Sequence, residues 1–273
     1  MGLLTVDESK CKRDGLCAAD CPAGIIAMPE GCFPQVFKGA EAFCMACGHC
    51  VAVCPHGAMS HPAVKSRECL PIRKELRLSP EQAEQFLRSR RSIRQYRPEP
   101  VSRVELERLL NLARYAPTGH NSQGVAWKAY TQPGDVRTIA QHVVDWMRRL
   151  VEKRDPAALE MNMALICDLF DKGMDLVMRG APHLVLTYAH QEDRIAPHAC
   201  DIAMAYVELY APVMGLGTCW AGFFERAANF WPPLKAFLDL PAGNQVMSAA
   251  MVGYPKARYY RCPERKGLQV EWV

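Results

Sequence analysis

The run Cys44-Met-Ala-Cys47-Gly-His-Cys50-Val-Ala-Val-Cys54-Pro55 constrains this chain more than any other stretch. Its spacing is C-x2-C-x2-C-x3-C-P. Three thiolates in one tight loop suit one iron–sulfur cluster, and the cysteine before the proline is set to ligate another. A companion run lies upstream, Cys11-Lys-Arg-Asp14-Gly-Leu-Cys17-Ala-Ala-Asp-Cys21-Pro22, with the same length and ending. Aspartate stands there in place of the second cysteine. Because the cysteine before proline crosses over, two ligand sets are expected. One is Cys21, Cys44, Cys47 and Cys50; the other is Cys11, Asp14, Cys17 and Cys54. A carboxylate is a harder and weaker ligand for this iron than a thiolate. The Asp14 site therefore suits a 4Fe–4S cluster with one labile corner, or a 3Fe–4S cluster lacking that iron. Cys32, between the runs, could stand in as a ligand, but a buried thiol is the expected role. Zinc also binds C-x2-C pairs, usually as two separated pairs around one tetrahedral ion, which fits this spacing poorly.

These residues resemble the bacterial two-cluster ferredoxins over residues 1–65, with seven cysteines and both prolines matching. The chain has 273 residues, enough for a second domain. Apolar residues make up 49% and charged residues 23%, an ordinary globular balance. Of thirteen cysteines nine precede residue 70, and the others (Cys167, Cys200, Cys219, Cys262) are expected as core or near-site thiols. No secretory signal and no membrane span is expected, and reduced thiols point to a cytoplasmic location. The net charge of +4 is too small to argue for nucleic acid.

Residues 66–78 read as a linker before a second domain at 79–273. Ser79-Pro80-Glu81-Gln82 opens a helix to about Arg91, and Ser102-Arg-Val-Glu105 repeats the capping box before a second helix. Strands are expected at 126–131, 183–189 and 245–252, with a short strand or loop at 217–223. Helices are expected at 136–151, 157–179, 198–214 and 230–238. The methionines in the second of these (161, 163, 174, 178) suit core packing or a dimer face. This mixture makes the second domain α+β or α/β. No repeat or low-complexity segment is evident.

Five arginines and no acid lie between Arg88 and Arg97. Arginine forks beside a hydroxyl suit a phosphate monoester. The loop Ala116-Pro-Thr-Gly-His120-Asn121-Ser-Gln123 follows, and its amides can donate and accept in one plane. Gly215-x-Gly217 carries tryptophan where a third fingerprint glycine would stand, so no Rossmann site is expected.

Here residues 79–273 resemble the FMN-dependent nitroreductase family. The matching pieces are Arg90-Arg91-Ser92-Ile93-Arg94, then Ala116-Pro117-Thr118 with Asn121, Gln123 and Trp127. Gly217-Thr-Cys-Trp220-Ala221-Gly222 and Gly253-Tyr-Pro255 follow in order. Gly124-Val-Ala precedes Trp127 where the family has proline. The resemblance implies an α+β flavin domain behind a ferredoxin-like module, and an intertwined homodimer. It implies that Arg90, Arg91, Ser92 and Arg94 bind FMN, that Asn121 and Gln123 bond its ring, and that Trp220, Ala221 and Gly222 approach it. Arg265 or Lys266 would reach the phosphate. His120 is a candidate proton donor, and a loop histidine bonded to backbone is the alternative.

The combined expectation is an oxidoreductase carrying electrons through two clusters to FMN and on to a flat acceptor such as a nitroaromatic, quinone or enone. Clusters in tandem suggest a small carrier, a ferredoxin or flavodoxin, as donor. The alternatives are a dehydrogenase or dehalogenase with a narrow substrate, a non-enzymatic electron-transfer or redox-sensing protein, and a nucleic-acid-binding iron–sulfur protein, whose arginines have a better use on phosphate.

Overall fold

Residues 2–273 are described in the computed structural model, and they fall into two units. The first comprises Met1–Arg77 with Gly119–Ser122; the second comprises Leu78–Thr118 and Gln123–Val273.

The first unit is built from short elements. Strand β1 (Thr5–Val6) pairs antiparallel with β4 (Met59–Ser60), and β2 (Ile26–Ala27) with β3 (Gln35–Val36). Two single-turn helices, α1 (Leu16–Ala19) and α2 (His49–Ala52), follow Gly15 and Gly48. The backbone repeats itself with an offset of 33 residues. Arg13 and Gly15 have φ of 58° and 75°; Ala46 and Gly48 have 49° and 76°. Gly24 and Gly57, three residues beyond Cys21 and Cys54, both have φ of 61°. The amide of each glycine donates back to that cysteine's carbonyl. In sequence the repeat shows only in the two ligand runs, where Gly15 and Gly48, Pro22 and Pro55, and Gly24 and Gly57 recur beside the cysteines. The buried core is small: Cys17, Ile25, Ile26, Ala40, Val51 and Met59.

The second unit is a three-layer α+β fold. Strands β5 (Ala126–Tyr130), β6 (His183–His190), β7 (Gly217–Trp220) and β8 (Asn244–Gly253) form one antiparallel sheet in the order β5-β6-β8-β7. Alternation along the strands feeds two cores. Leu184, Leu186, Ala249 and Met251 face one, with helices α5 (Pro133–Glu152), α6 (Pro156–Glu160), α7 (Met163–Asp171), α9 (Gly222–Phe230) and α10 (Pro232–Leu238). Val185, Ala250 and Val252 face the other, against α4 (Arg103–Ala113) and α8 (Ala196–Tyr210). Helix α3 (Pro80–Ser89) starts the unit. Both capping boxes form as expected: Ser79 Oγ accepts from Gln82 N and Ser102 Oγ accepts from Glu105 N, each at 3.2 Å. Leu109 is fully buried in the second core. Leu109→Ala is expected to lower the stability of this unit by about 2–5 kcal/mol, read from its urea transition.

Several expectations are corrected. The helix expected at 157–179 is two short ones, broken at Asn162 (φ 51°) and ended before Gly173 (φ 83°). Asp175 then gathers the amides of Val177, Met178 and Gly180 into a turn. The helix expected from 230 is preceded by α9, hidden in sequence behind Gly222. Helix α8 ends at Tyr210, and Pro212 turns the chain into a 3-10 turn. Cys32 is exposed, not a buried thiol, and so is Cys262. Among the described residues no helix is long and apolar enough to cross a membrane.

Candidate cofactor sites

In the first unit the repeat makes two equivalent cavities. One is lined by Cys11, Asp14, Cys17 and Cys54. The other is lined by Cys21, Cys44, Cys47 and Cys50. These are the two crossed sets. Each loop places its middle ligand between a left-handed residue and a left-handed glycine, so Asp14 occupies the backbone position that Cys47 holds in the other half. Gly15 and Gly48 then bring Cys17 and Cys50 into the first turn of α1 and α2. Asp14 Oδ1 accepts from Leu16 N at 3.2 Å, and Oδ2 lies 3.9 Å from His56 Nε2. Burial pushes the Cys50 thiol up to about 11, reinforced by Cys47, Cys21 and Cys44 around it. Burial likewise raises Cys17, beside Cys54 and Cys11. Cys50 and Cys17 therefore resist ionising unless a cation lies beside them, which cluster iron would supply. Among the described residues no three potential ligands converge on a single ion. The donor sets, three or four thiolates spread around a cavity, fit iron–sulfur clusters.

In the second unit residues 93–97 lie along the ends of β7 and β8. Ile93 N donates to Thr218 O at 2.8 Å, Arg97 N to Tyr254 O at 2.9 Å, and Lys256 N to Gln95 O at 3.0 Å. That approach needs glycine. A Cβ on Gly217 would meet Ile93 Cγ1 at 2.5 Å, and one on Gly253 would meet Tyr96 Cδ1 at 2.8 Å. The segment carries Arg94 to a cavity of about 450 Å³, shared with Arg179, Arg226, Trp220, Ala221 and Gly222. That volume is in the range of small-molecule sites. The ion pairs of the described residues engage Arg67, Arg73, Arg88, Arg90, Arg103, Arg148 and Arg149. Arg94, Arg179 and Arg226 are in none of them. Burial raises the Tyr96 hydroxyl and the Cys219 thiol, and in both cases Arg94 and Arg179 pull the other way, so the two guanidinium fields converge here. Arg179 is held at φ 58° by the Asp175 turn. Three unpaired cations beside an apolar wall fit a flavin phosphate or an anionic flavin ring.

The remaining expected residues lie elsewhere. Arg90 Nη1 pairs with Glu208 Oε1 at 2.7 Å, and Trp220 Nε1 donates to Glu208 Oε2 at 3.1 Å. Ser92 Oγ is 3.5 Å from Arg90 Nη1. The Arg91 guanidinium stands 5.7 Å from the Tyr259 ring centre. Asn121 Nδ2 donates within the first unit to the carbonyls of Met45 and Ala46, at 3.2 and 3.1 Å. Gln123 is exposed, and its backbone N–H donates to Thr118 Oγ1 at 3.0 Å. His120 is exposed at φ 51°. Arg265 and Lys266 lie in an exposed stretch without regular structure. Sequence reasoning missed Glu208, Asp175, Arg179 and Arg226. Glu208 and Asp175 act by pairing across 12 to 118 residues or by turning the backbone, and no local spacing marks that.

The nitroreductase family model matches residues 87–254. The 4Fe–4S dicluster domain model matches residues 3–55. Solved structures share the fold of the second unit. A nitroreductase with bound FMN from Bacteroides fragilis NCTC 9343 is 18% identical with a TM-score of 0.57, covering 70% of this chain and 99% of its own. A nitroreductase with bound FMN from Desulfitobacterium hafniense DCB-2 is 17% identical with a TM-score of 0.57, covering 71% and 100%. A BluB-like flavoprotein from Clostridium difficile 630 is 19% identical with a TM-score of 0.56, covering 68% and 94%.

Proposed function

Because this chain belongs to the nitroreductase family, and so is an oxidoreductase, we propose that it is an iron–sulfur flavoprotein that takes electrons from a small one-electron carrier and reduces a flat organic acceptor. The observation that carries this reading is the pair of four-ligand cavities on the same chain as the arginine-lined one. A plain nicotinamide-dependent enzyme has no need of the first two.

Each residue has a part in this reading. Cys21, Cys44, Cys47 and Cys50 hold one cluster; Cys11, Asp14, Cys17 and Cys54 hold the other. Arg94, Arg179 and Arg226 neutralise the flavin phosphate or its reduced ring, and a cation there favours the reduced form. Trp220, Ala221 and Gly222 form the wall beside it. Glu208 fixes Arg90 and Trp220 together and so sets the shape of that wall. Bound FMN supplies the coupling between one-electron delivery and two-electron reduction. Two electrons and two protons balance reduction of a quinone to its hydroquinone, and nitroaromatics and activated enones are the related acceptors. A second copy of this chain is the proposed partner, since the C-terminal stretch exposes Tyr260, Leu268 and Trp272 at 80–86%.

Anaerobic purification tests the reading. The expected result is FMN together with about eight irons per chain, or about seven with an EPR signal in the oxidised state if the Asp14 site holds 3Fe–4S. Zinc without sulfide would overturn it.

A further inference from the structure

One side chain of the first unit faces a ligand sulfur without a counterpart in the other half. His61 is 8% exposed, and its Nε2 lies 3.6 Å from Cys44 Sγ. Its other ring nitrogen is committed: Ala63 N donates to His61 Nδ1 at 3.0 Å. A neutral imidazole that accepts at Nδ1 carries its proton on Nε2. That proton is aimed at the Cys44 sulfur.

The backbone holds the ring there. His61 and Val64 exchange both backbone hydrogen bonds, at 3.1 and 3.0 Å, closing a tight turn. Val64 presses on the ligand loop, its Cγ1 3.2 Å from where a Gly48 Cβ would stand. Residue 61 minus the 33-residue offset is Met28, whose side chain has no N–H to offer. The Asp14 site does receive one backbone donor, Ala58 N to Cys54 Sγ at 3.3 Å. Only the Cys44 site has a side-chain donor on a ligand sulfur among the described residues.

We propose that His61 is a positioning residue that raises the reduction potential of the cluster on Cys21, Cys44, Cys47 and Cys50 by donating Nε2–H to the Cys44 thiolate. The inference rests on the iron–sulfur reading above. Reduction adds one electron to the cluster and increases the negative charge on its sulfurs. A donor aimed at one of those sulfurs therefore binds the reduced form more strongly, and hydrogen bonds to sulfur are a recognised control on these potentials. The chain thereby makes its two clusters unequal, with the His61 site the easier to reduce than it would be on thiolates alone.

The test uses the full chain with both clusters assembled, checked first by iron and sulfide content. That check separates failure of the iron–sulfur reading from failure of this inference. Midpoint potentials are read by EPR-monitored titration of His61→Leu and His61→Gln, with the two signals told apart by Asp14→Cys. His61→Leu is expected to weaken reduction of its cluster on the order of tenfold, which is 59 mV for a one-electron couple. The other cluster should hold its potential, and His61→Gln, which keeps an N–H, should recover part of the shift. Unchanged potentials at full iron content, equal shifts in both clusters, or loss of the cluster in both variants would each overturn the proposal.

Discussion

Cys50→Ala is expected to abolish carrier-driven turnover while FMN stays bound. Cys50 sits in the first turn of α2, with Cys21, Cys44 and Cys47 around the same cavity. Its removal leaves three thiolates and no nearby replacement, because the spare cysteines of the first unit, Cys32 and Cys69, are exposed and line neither cavity. Loss of an outer-shell partner alone costs roughly 10–100-fold at metal sites, and loss of a ligand should exceed that. Iron should fall by about half, from about eight per chain. The first unit should also loosen. Six buried residues make a thin core, and metal binding then contributes directly to folding. The second unit has two separate cores and should be unaffected. Carrier-driven and nicotinamide-driven rates, with flavin content, check this. If the variant keeps its carrier-driven rate, or if the unaltered chain is reduced as fast by NAD(P)H once stripped of iron, the clusters do not feed the flavin.

Much of this was legible because ligand chemistry forces local spacing. The C-x2-C-x2-C-x3-C-P run puts three side chains on one loop whatever the rest does, and the structure gathers the same two fours that the crossing rule grouped. Capping boxes at Ser79 and Ser102 are local for the same reason. What stayed hidden depends on partners far along the chain. Glu208 reads as one of two acids, with Asp201, in a mostly apolar helix until Arg90 and Trp220 arrive from 118 and 12 residues away. Arg179 and Arg226 look like surface charges, and only the Asp175 turn and the start of α9 bring them to one cavity. The family pattern points Asn121 to a flavin; its side-chain amide donates to the carbonyls of Met45 and Ala46 in the first unit, which no pattern in its own loop announces. Cys32 shows the converse: apolar character suggests burial, but position in a loop after Gly31 decides exposure.

Gly217→Ala should weaken FMN binding by about 5–150-fold, the equivalent of the 1–3 kcal/mol that overpacking costs. Gly217 does not use a left-handed conformation, so alanine is acceptable to the backbone and the effect is contact alone. The new Cβ would stand 2.5 Å from Ile93 Cγ1, 2.9 Å from Ile93 Cβ and 3.0 Å from Pro255 Cγ. One side of that clash is fixed. Gly217 opens β7 and pairs with Gly253 of β8, against strands with almost no exposed surface. The 93–97 segment is the side that can give, because single hydrogen bonds at Ile93, Gln95 and Arg97 hold it. Displacing it moves Arg94 away from Arg179 and strains the Arg90–Glu208 pair at its foot. The cations that fit the flavin phosphate then no longer converge. Ile93→Ala in the same chain removes the closest clashing atom and should recover part of the affinity, which a double-mutant cycle would read as coupling. Full FMN affinity in Gly217→Ala would mean that the arm carrying Arg94 does not hold the flavin. Equal losses in the single and double variants would place the damage in the sheet and not in the arm.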